Sequence, residues 1–144
     1  MITAQDGKDN GCIANTCFQV AAEPTKLAIS VQQGNLTREF IEKTGVFNVT
    51  VLREDVPFET IRHFGMQTGR ETDKFDGTYP VERSGNGLYY LTENSCAMFS
   101  CRVVEKVFLG SHTLFIGEVT ESKVLGEGDP CTYAHYHKAI KPKF

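Results

Sequence analysis

The sequence predicts an all-β domain, a closed β-barrel interrupted by two short helices. Three observations carry this expectation. Short apolar runs with a period of two recur along the chain. Gly, Asn, Asp and Pro break those runs at turn-like intervals. No strand–helix–strand rhythm, internal repeat or low-complexity stretch runs through the 144 residues, and that length suits one domain, residues 1–144.

Gly11 to Val20 is apolar, with small and β-branched residues, and reads as the first strong strand. Leu27, Ile29 and Val31 share one face of a second strand. Asn35 can cap a helix from Leu36 to Lys43, with Leu36, Phe40 and Ile41 as its apolar stripe and Gly45 as its stop. Val46 to Leu52 alternates Phe47, Val49 and Val51 against Asn48 and Thr50. Asp55 and Pro57 open a second helix through Phe58, Ile61 and Phe64, ended by Gly65. Gly65 to Thr78 is polar and charged and reads as a surface loop long enough to be functional. Ala97 to Val107 and Thr113 to Val119 are the last strands, the latter apolar on both faces and expected to be buried on both sides.

The net charge of −3 argues against nucleic acid or an anionic membrane as partner, since both need a cationic surface. Five cysteines, Cys12, Cys17, Cys96, Cys101 and Cys131, leave at least one unpaired, and none are spaced C-x-x-C. They read as small apolar residues of a reducing, cytoplasmic setting, with Cys17 open to oxidation. The start has no signal-peptide core, and no window approaches a membrane span. His135 and His137 would share a strand face, but no third ligand is evident, so no metal site is expected. No dinucleotide fingerprint, phosphate loop or nucleophile elbow is present.

Five ordered segments do carry a likeness: NGCIANTCFQV (Asn10 to Val20), SVQQGNLTREFIEKTGVFNVTVL (Ser30 to Leu52), HFGMQTGRETDKF (His63 to Phe75), GSHTLFIGEV (Gly110 to Val119) and TYAHYH (Thr132 to His137). Together they resemble the flavin-reductase-like FMN-binding split barrel, a Greek-key β-barrel with short helical insertions. Within that family the likeness is nearest to flavin domains associated with rubredoxin and to flavoredoxins. Relatives begin with a further short helix and strand, so the first barrel strand is expected to be absent or shortened. No C-x-x-C pair follows the barrel, so an electron acceptor such as a rubredoxin is expected in another chain.

The resemblance implies a homodimer that takes hydride from NADH or NADPH onto bound FMN and passes electrons on. It places the flavin phosphate at Asn35, Leu36 and Thr37, with Lys74 as its cation. It places Asn15, Thr16, Cys17 and Phe18 along one side of the ring and Ser30, Val31 and Gln32 along the other. It brings His112 and Tyr136, with Tyr133, toward the face where a nicotinamide stacks. Each group has a plain alternative: an N-cap and turn, a solvated loop lysine, a buried strand with a bulge, a turn histidine and packed tyrosines. Two other functions fit the same fold: an electron carrier without a nicotinamide site, and a haem-binding barrel with His112, His135 or His137 as ligand. No acidic residue stands at a dinucleotide-fold spacing to choose between NADH and NADPH.

Overall fold

The computed structural model describes all 144 residues, Met1–Phe144. Its elements run β1 (Ile2–Gln5), β2 (Asp9–Cys12), β3 (Cys17–Ala22), β4 (Thr25–Gln32), α1 (Leu36–Thr44), β5 (Val46–Leu52), α2 (Phe58–Gly65), β6 (Val81–Arg83), β7 (Tyr89–Leu91), β8 (Ser95–Phe108) and β9 (His112–Val124). A helical turn, Tyr133–His135, then runs into a π-helical turn, Tyr136–Ile140. Seven strands form one antiparallel sheet in the order β2-β1-β5-β8-β9-β4-β3, and β6 pairs with β7 as a separate hairpin.

The helices form where their capping residues put them. The Asn35 side chain accepts from the Thr37 N–H at 2.9 Å, and Gly45, at φ 74°, donates to the Ile41 carbonyl at 2.8 Å. Phe40 and Ile41 are turned inward onto the sheet. α2 starts after Pro57 and buries Ile61 and Phe64 in a second cluster with Met1, Leu52, Val56 and Leu91. The main cluster fills the curl of the sheet with Ile2, Leu27, Ile29, Val31, Phe47, Val49 and Phe115. Gly117 makes one of those contacts possible: a Cβ there would lie 2.7 Å from the Phe47 ring.

Three elements differ from the sequence expectation. Gly11 to Val20 is not one strand. β2 ends at Cys12 on one edge of the sheet and β3 begins at Cys17 on the other, so Ile13–Thr16 crosses between the two edges. There the Thr16 hydroxyl donates to the Asn15 side chain at 3.2 Å, and the Thr16 carbonyl accepts from the Ser30 N–H at 3.4 Å as the chain joins the second edge. The chain start, where the first barrel strand is expected to be absent or shortened, supplies the four-residue β1, which is buried and paired to both β2 and β5. β9 is longer than Thr113–Val119 and is fully buried only on the face of Thr113, Phe115 and Gly117; Leu114 and Ile116 on the other face are half-buried. That second face has no layer packed over it within the chain.

No helix is long and apolar enough to cross a membrane.

Candidate functional site

The crossing segment, the C-terminal end of β4, the start of α1, the end of β5 and the last turns of the chain enclose a cavity of about 610 Å³. That volume lies in the range of cofactor sites, roughly 300–1,000 Å³. Most of its wall is apolar, and none of its lining residues is Lys, Arg, Asp or Glu.

Of the residues singled out in the sequence, Asn15, Cys17, Ser30, Val31, Gln32, Asn35, His112, Tyr133 and Tyr136 line this cavity. They arrive from four separate stretches of chain. Pairing of β4 with β9 sets Gln32 opposite His112, which brings the rim together. Thr16, Phe18, Leu36, Thr37 and Lys74 do not line it. Phe18 points the opposite way from Cys17, as alternation along β3 requires, and is 53% exposed.

Lys74 is 2% exposed, and its Nζ donates to the Gly11 and Phe64 carbonyls, each at 2.8 Å. Burial pulls its ammonium below the ordinary lysine range. Here Lys74 ties the loop after α2 to β2, one residue before cavity-lining Cys12. Thr37 is also buried; its hydroxyl oxygen accepts from Asn10 Nδ2 at 2.9 Å.

The mouth of α1 still offers donors. The Asn35 side chain takes the Thr37 N–H, and the Leu36 and Arg38 N–H groups find no acceptor in the fold. Arg70, which the sequence reading passed over inside its functional loop, reaches this helix start. It pairs with Glu39 and lies 3.5 Å from the Gly34 carbonyl. Beside this helix start, where the Gln33 N–H donates to the Ser111 carbonyl at 2.8 Å, Ser111 Oγ lies 2.8 Å from His112 Nδ1.

Cys12, Cys17 and Cys131 line the cavity; Cys12 is buried, Cys131 half-buried and Cys17 exposed, and desolvation by the surrounding protein pushes each thiol up, so they stand as neutral thiols rather than thiolates at neutral pH. The remaining wall, which the sequence did not single out, comes from Met1 and Ile2, Ile13 and Ala14, Val49–Leu52, Ile61, Gly65 and Met66, and from Pro130–Thr132. The last of these is docked by the Cys131 N–H on the Leu52 carbonyl at 2.7 Å. The three histidines of the haem alternative do not converge: His112 lines the cavity, His135 sets both ring nitrogens against Glu54, and His137 packs on Tyr133 and Tyr136.

A flat, mostly apolar heterocycle with a polar edge and an anionic tail fits this arrangement. The apolar walls would flank its ring, Asn15, Ser30 and Gln32 could bond its edge, and the free N–H groups of α1 suit an anion.

Comparison with known proteins agrees. The family described as "Flavin reductase like domain" matches residues 1–142. The high molecular weight rubredoxin of Moorella thermoacetica is 42% identical over 139 residues, which cover 96% of this chain and 60% of that protein. The chain therefore spans less than two thirds of that relative. The ferric-chelate reductase (NAD(P)H) of Archaeoglobus fulgidus is 36% identical over 139 residues, 96% of this chain and 81% of that protein. Among solved structures, flavin reductase PheA2 superposes with a TM-score of 0.74 at 32% identity, covering 90% of this chain and 79% of that one. With nearly the whole length matched, and with a seven-stranded antiparallel sheet whose two edges meet at the cavity, the chain belongs to the flavin reductase like domain family.

Proposed function

We propose that this chain is an FMN-dependent oxidoreductase that accepts hydride from NADH or NADPH and delivers electrons to free flavin or to a redox partner protein. The observation that carries the reading is the convergence, on one largely apolar cavity, of the α1 N-cap Asn35, the polar groups of Asn15, Ser30 and Gln32, and His112 beside Gln32 on the rim. When bound, the flavin supplies a ring that takes up two electrons as hydride and gives them back singly or as a pair.

The chain's own part is positioning. Asn35 fixes the first turn of α1, so that the Leu36 and Arg38 N–H groups face an incoming phosphate, and Arg70 adds a cation beside them. Lys74 acts at one remove, by holding Gly11 and hence the wall at Cys12. His112 and Tyr136 leave room for a nicotinamide over the exposed ring face and orient it. No side chain needs to move a proton for hydride transfer, and no Lys, Arg, Asp or Glu side chain lines the cavity.

The working form is a homodimer. Phe18 and Val20 on β3, and Val107, Phe108 and Leu109 at the β8–β9 tip, are exposed apolar side chains flanking the uncovered face of β9. The relative named as a rubredoxin makes a rubredoxin-like protein a reasonable electron acceptor. Five free thiols suit a reducing cytoplasm.

Titrating the apoprotein with FMN and with riboflavin, then adding NADH anaerobically, tests the reading. Tighter binding of FMN followed by rapid bleaching supports it. Bound flavin that NADH leaves oxidised would make the chain a carrier reduced by another protein.

A further inference from the structure

The last twelve residues, Tyr133–Phe144, concentrate unpaired positive charge. Lys138, Lys141 and Lys143 lie there with no acid among them, so the rest of a chain of net charge −3 stands at −6. Elsewhere the cations are engaged. Eight lysines and arginines sit in ion pairs with carboxylates, and Lys8 and Lys74 donate to backbone carbonyls. Only Lys26, Lys123, Lys138, Lys141 and Lys143 touch no carboxylate or carbonyl, and three of those are in this one segment.

The segment is also held in place. Tyr136 and Ile140 pack into the α2 cluster, and His135 bonds the Glu54 carbonyl at 3.2 Å and faces its carboxylate at 3.3 Å. Glu54 is thus the acid that approaches the segment, and His135 occupies it. With Tyr136 and Ile140 turned inward, His137, Lys138 and Lys141 face solvent. Tyr133, 57% exposed, stacks on Tyr136 with ring centroids 6.3 Å apart and meets the His137 ring at 4.4 Å. Tyr133 and Tyr136 are at the same time wall residues of the cavity. An aromatic cluster therefore runs from the cavity to the surface and emerges beside free lysines, an exposed aromatic contact with unpaired charge at its rim, which suits an electrostatically steered protein partner. The lysines lie outside the cavity wall, which also sets them apart from a grip on a ligand bound within it.

We infer that Tyr133–Phe144 is the docking surface for a small acidic electron-transfer protein, which seats its metal centre against Tyr133 at the cavity rim. The inference rests on the proposed role of the cavity as a flavin site. Per reduced flavin, two ferric centres are reduced to ferrous in successive dockings and one proton is released to solvent.

The test uses the holoprotein, reduced with dithionite, and an isolated rubredoxin of net negative charge as probe. Lys138→Glu, Lys141→Glu and Lys143→Glu are combined in one variant, with the triple Gln variant as a milder partner. For the wild type, the bimolecular rate of rubredoxin reduction should fall steeply as salt rises. In the Glu variant it should be at least tenfold slower at low salt and nearly salt-independent, with the Gln variant between. Reduction of dioxygen, an uncharged acceptor, should be unchanged. Calorimetric titration of rubredoxin into either form should show the same loss of affinity without any turnover. Unchanged rubredoxin rates and affinity in the variants overturn the proposal. So does a raised KM for NADH with rubredoxin transfer intact, which would make the lysines a dinucleotide contact. A chain that binds no flavin would fail the proposed function instead, and the calorimetric titration would still decide the docking surface.

Discussion

Ser111 Oγ and His112 Nδ1 lie 2.8 Å apart on the cavity rim. In a neutral ring, a hydroxyl donating to Nδ1 places the ring proton on Nε2 and leaves that N–H as a donor. If His112 holds a nicotinamide amide, His112→Ala should slow flavin reduction by NADH about tenfold to a hundredfold, or roughly 1.4–2.8 kcal/mol, through lost orientation. FMN affinity should stay near wild type. Ser111→Ala should give a smaller loss of the same kind and shift the His112 tautomer balance, read by ¹⁵N chemical shifts of the ring. Loss of FMN from His112→Ala would make it a flavin ligand.

Lys74→Met should act on the fold before it acts on the ligand. It strips the donor from two carbonyls and should cost about 2–4 kcal/mol in thermal unfolding, the scale of leaving buried acceptors unpaired. Because the effect passes through Gly11 and the cavity wall, FMN and riboflavin should lose affinity equally. A loss confined to FMN would instead give the ammonium a direct hold on phosphate.

Phe18→Glu with Phe108→Glu should convert the particle from twice 16.0 kDa to 16.0 kDa in light scattering. Both side chains are exposed, at 53% and 69%, so the monomer should keep its fold. A wild-type chain that already scatters as a monomer with FMN bound would remove the dimer.

Alkaline stability follows from Cys101. Its thiol is pushed up to about 12 from an ordinary value of 9.0, chiefly by burial. The folded state keeps the proton that the unfolded chain gives up. The stabilisation is therefore complete below pH 9 and is lost as the pH rises from 9 to 12. Cys101→Ala should flatten the fall of the unfolding midpoint over that window. Cys101 should also resist iodoacetamide at pH 8 until the protein unfolds.

The helices and central strands were legible because their signals are local. Asn35 and Gly45 bracket α1, and alternation marks β5. The crossing at Ile13–Thr16 was not, since periodicity shows that a segment is extended but not which strand it pairs with. β1 was hidden by Thr3, a polar residue buried by donating its hydroxyl to the Tyr89 carbonyl 2.6 Å away. The rim residues His112, Tyr133 and Tyr136 were reached through a resemblance, because separate stretches meet there only in three dimensions. Lys74 shows the same limit from the other side. No local pattern announces that a lysine in a charged loop will bury itself on a carbonyl 63 residues earlier.

The crossing segment gives the apoprotein a particular weak point. Neighbours along the chain sit on the two free margins of the sheet, so no backbone ladder closes the seam between them; side-chain packing and α1, bonded to β2 through Asn10 and Thr37, bridge it. Whatever binds there touches both margins at once and does the work that a ladder of hydrogen bonds does elsewhere. Occupancy and folding are then thermodynamically linked: a ligand at a hundred times its dissociation constant adds about 2.7 kcal/mol to stability. The amides of Ile13–Thr16 should be among the first in the apoprotein to exchange with deuterium, and they should slow sharply on loading, while those of β8 and β9 barely respond.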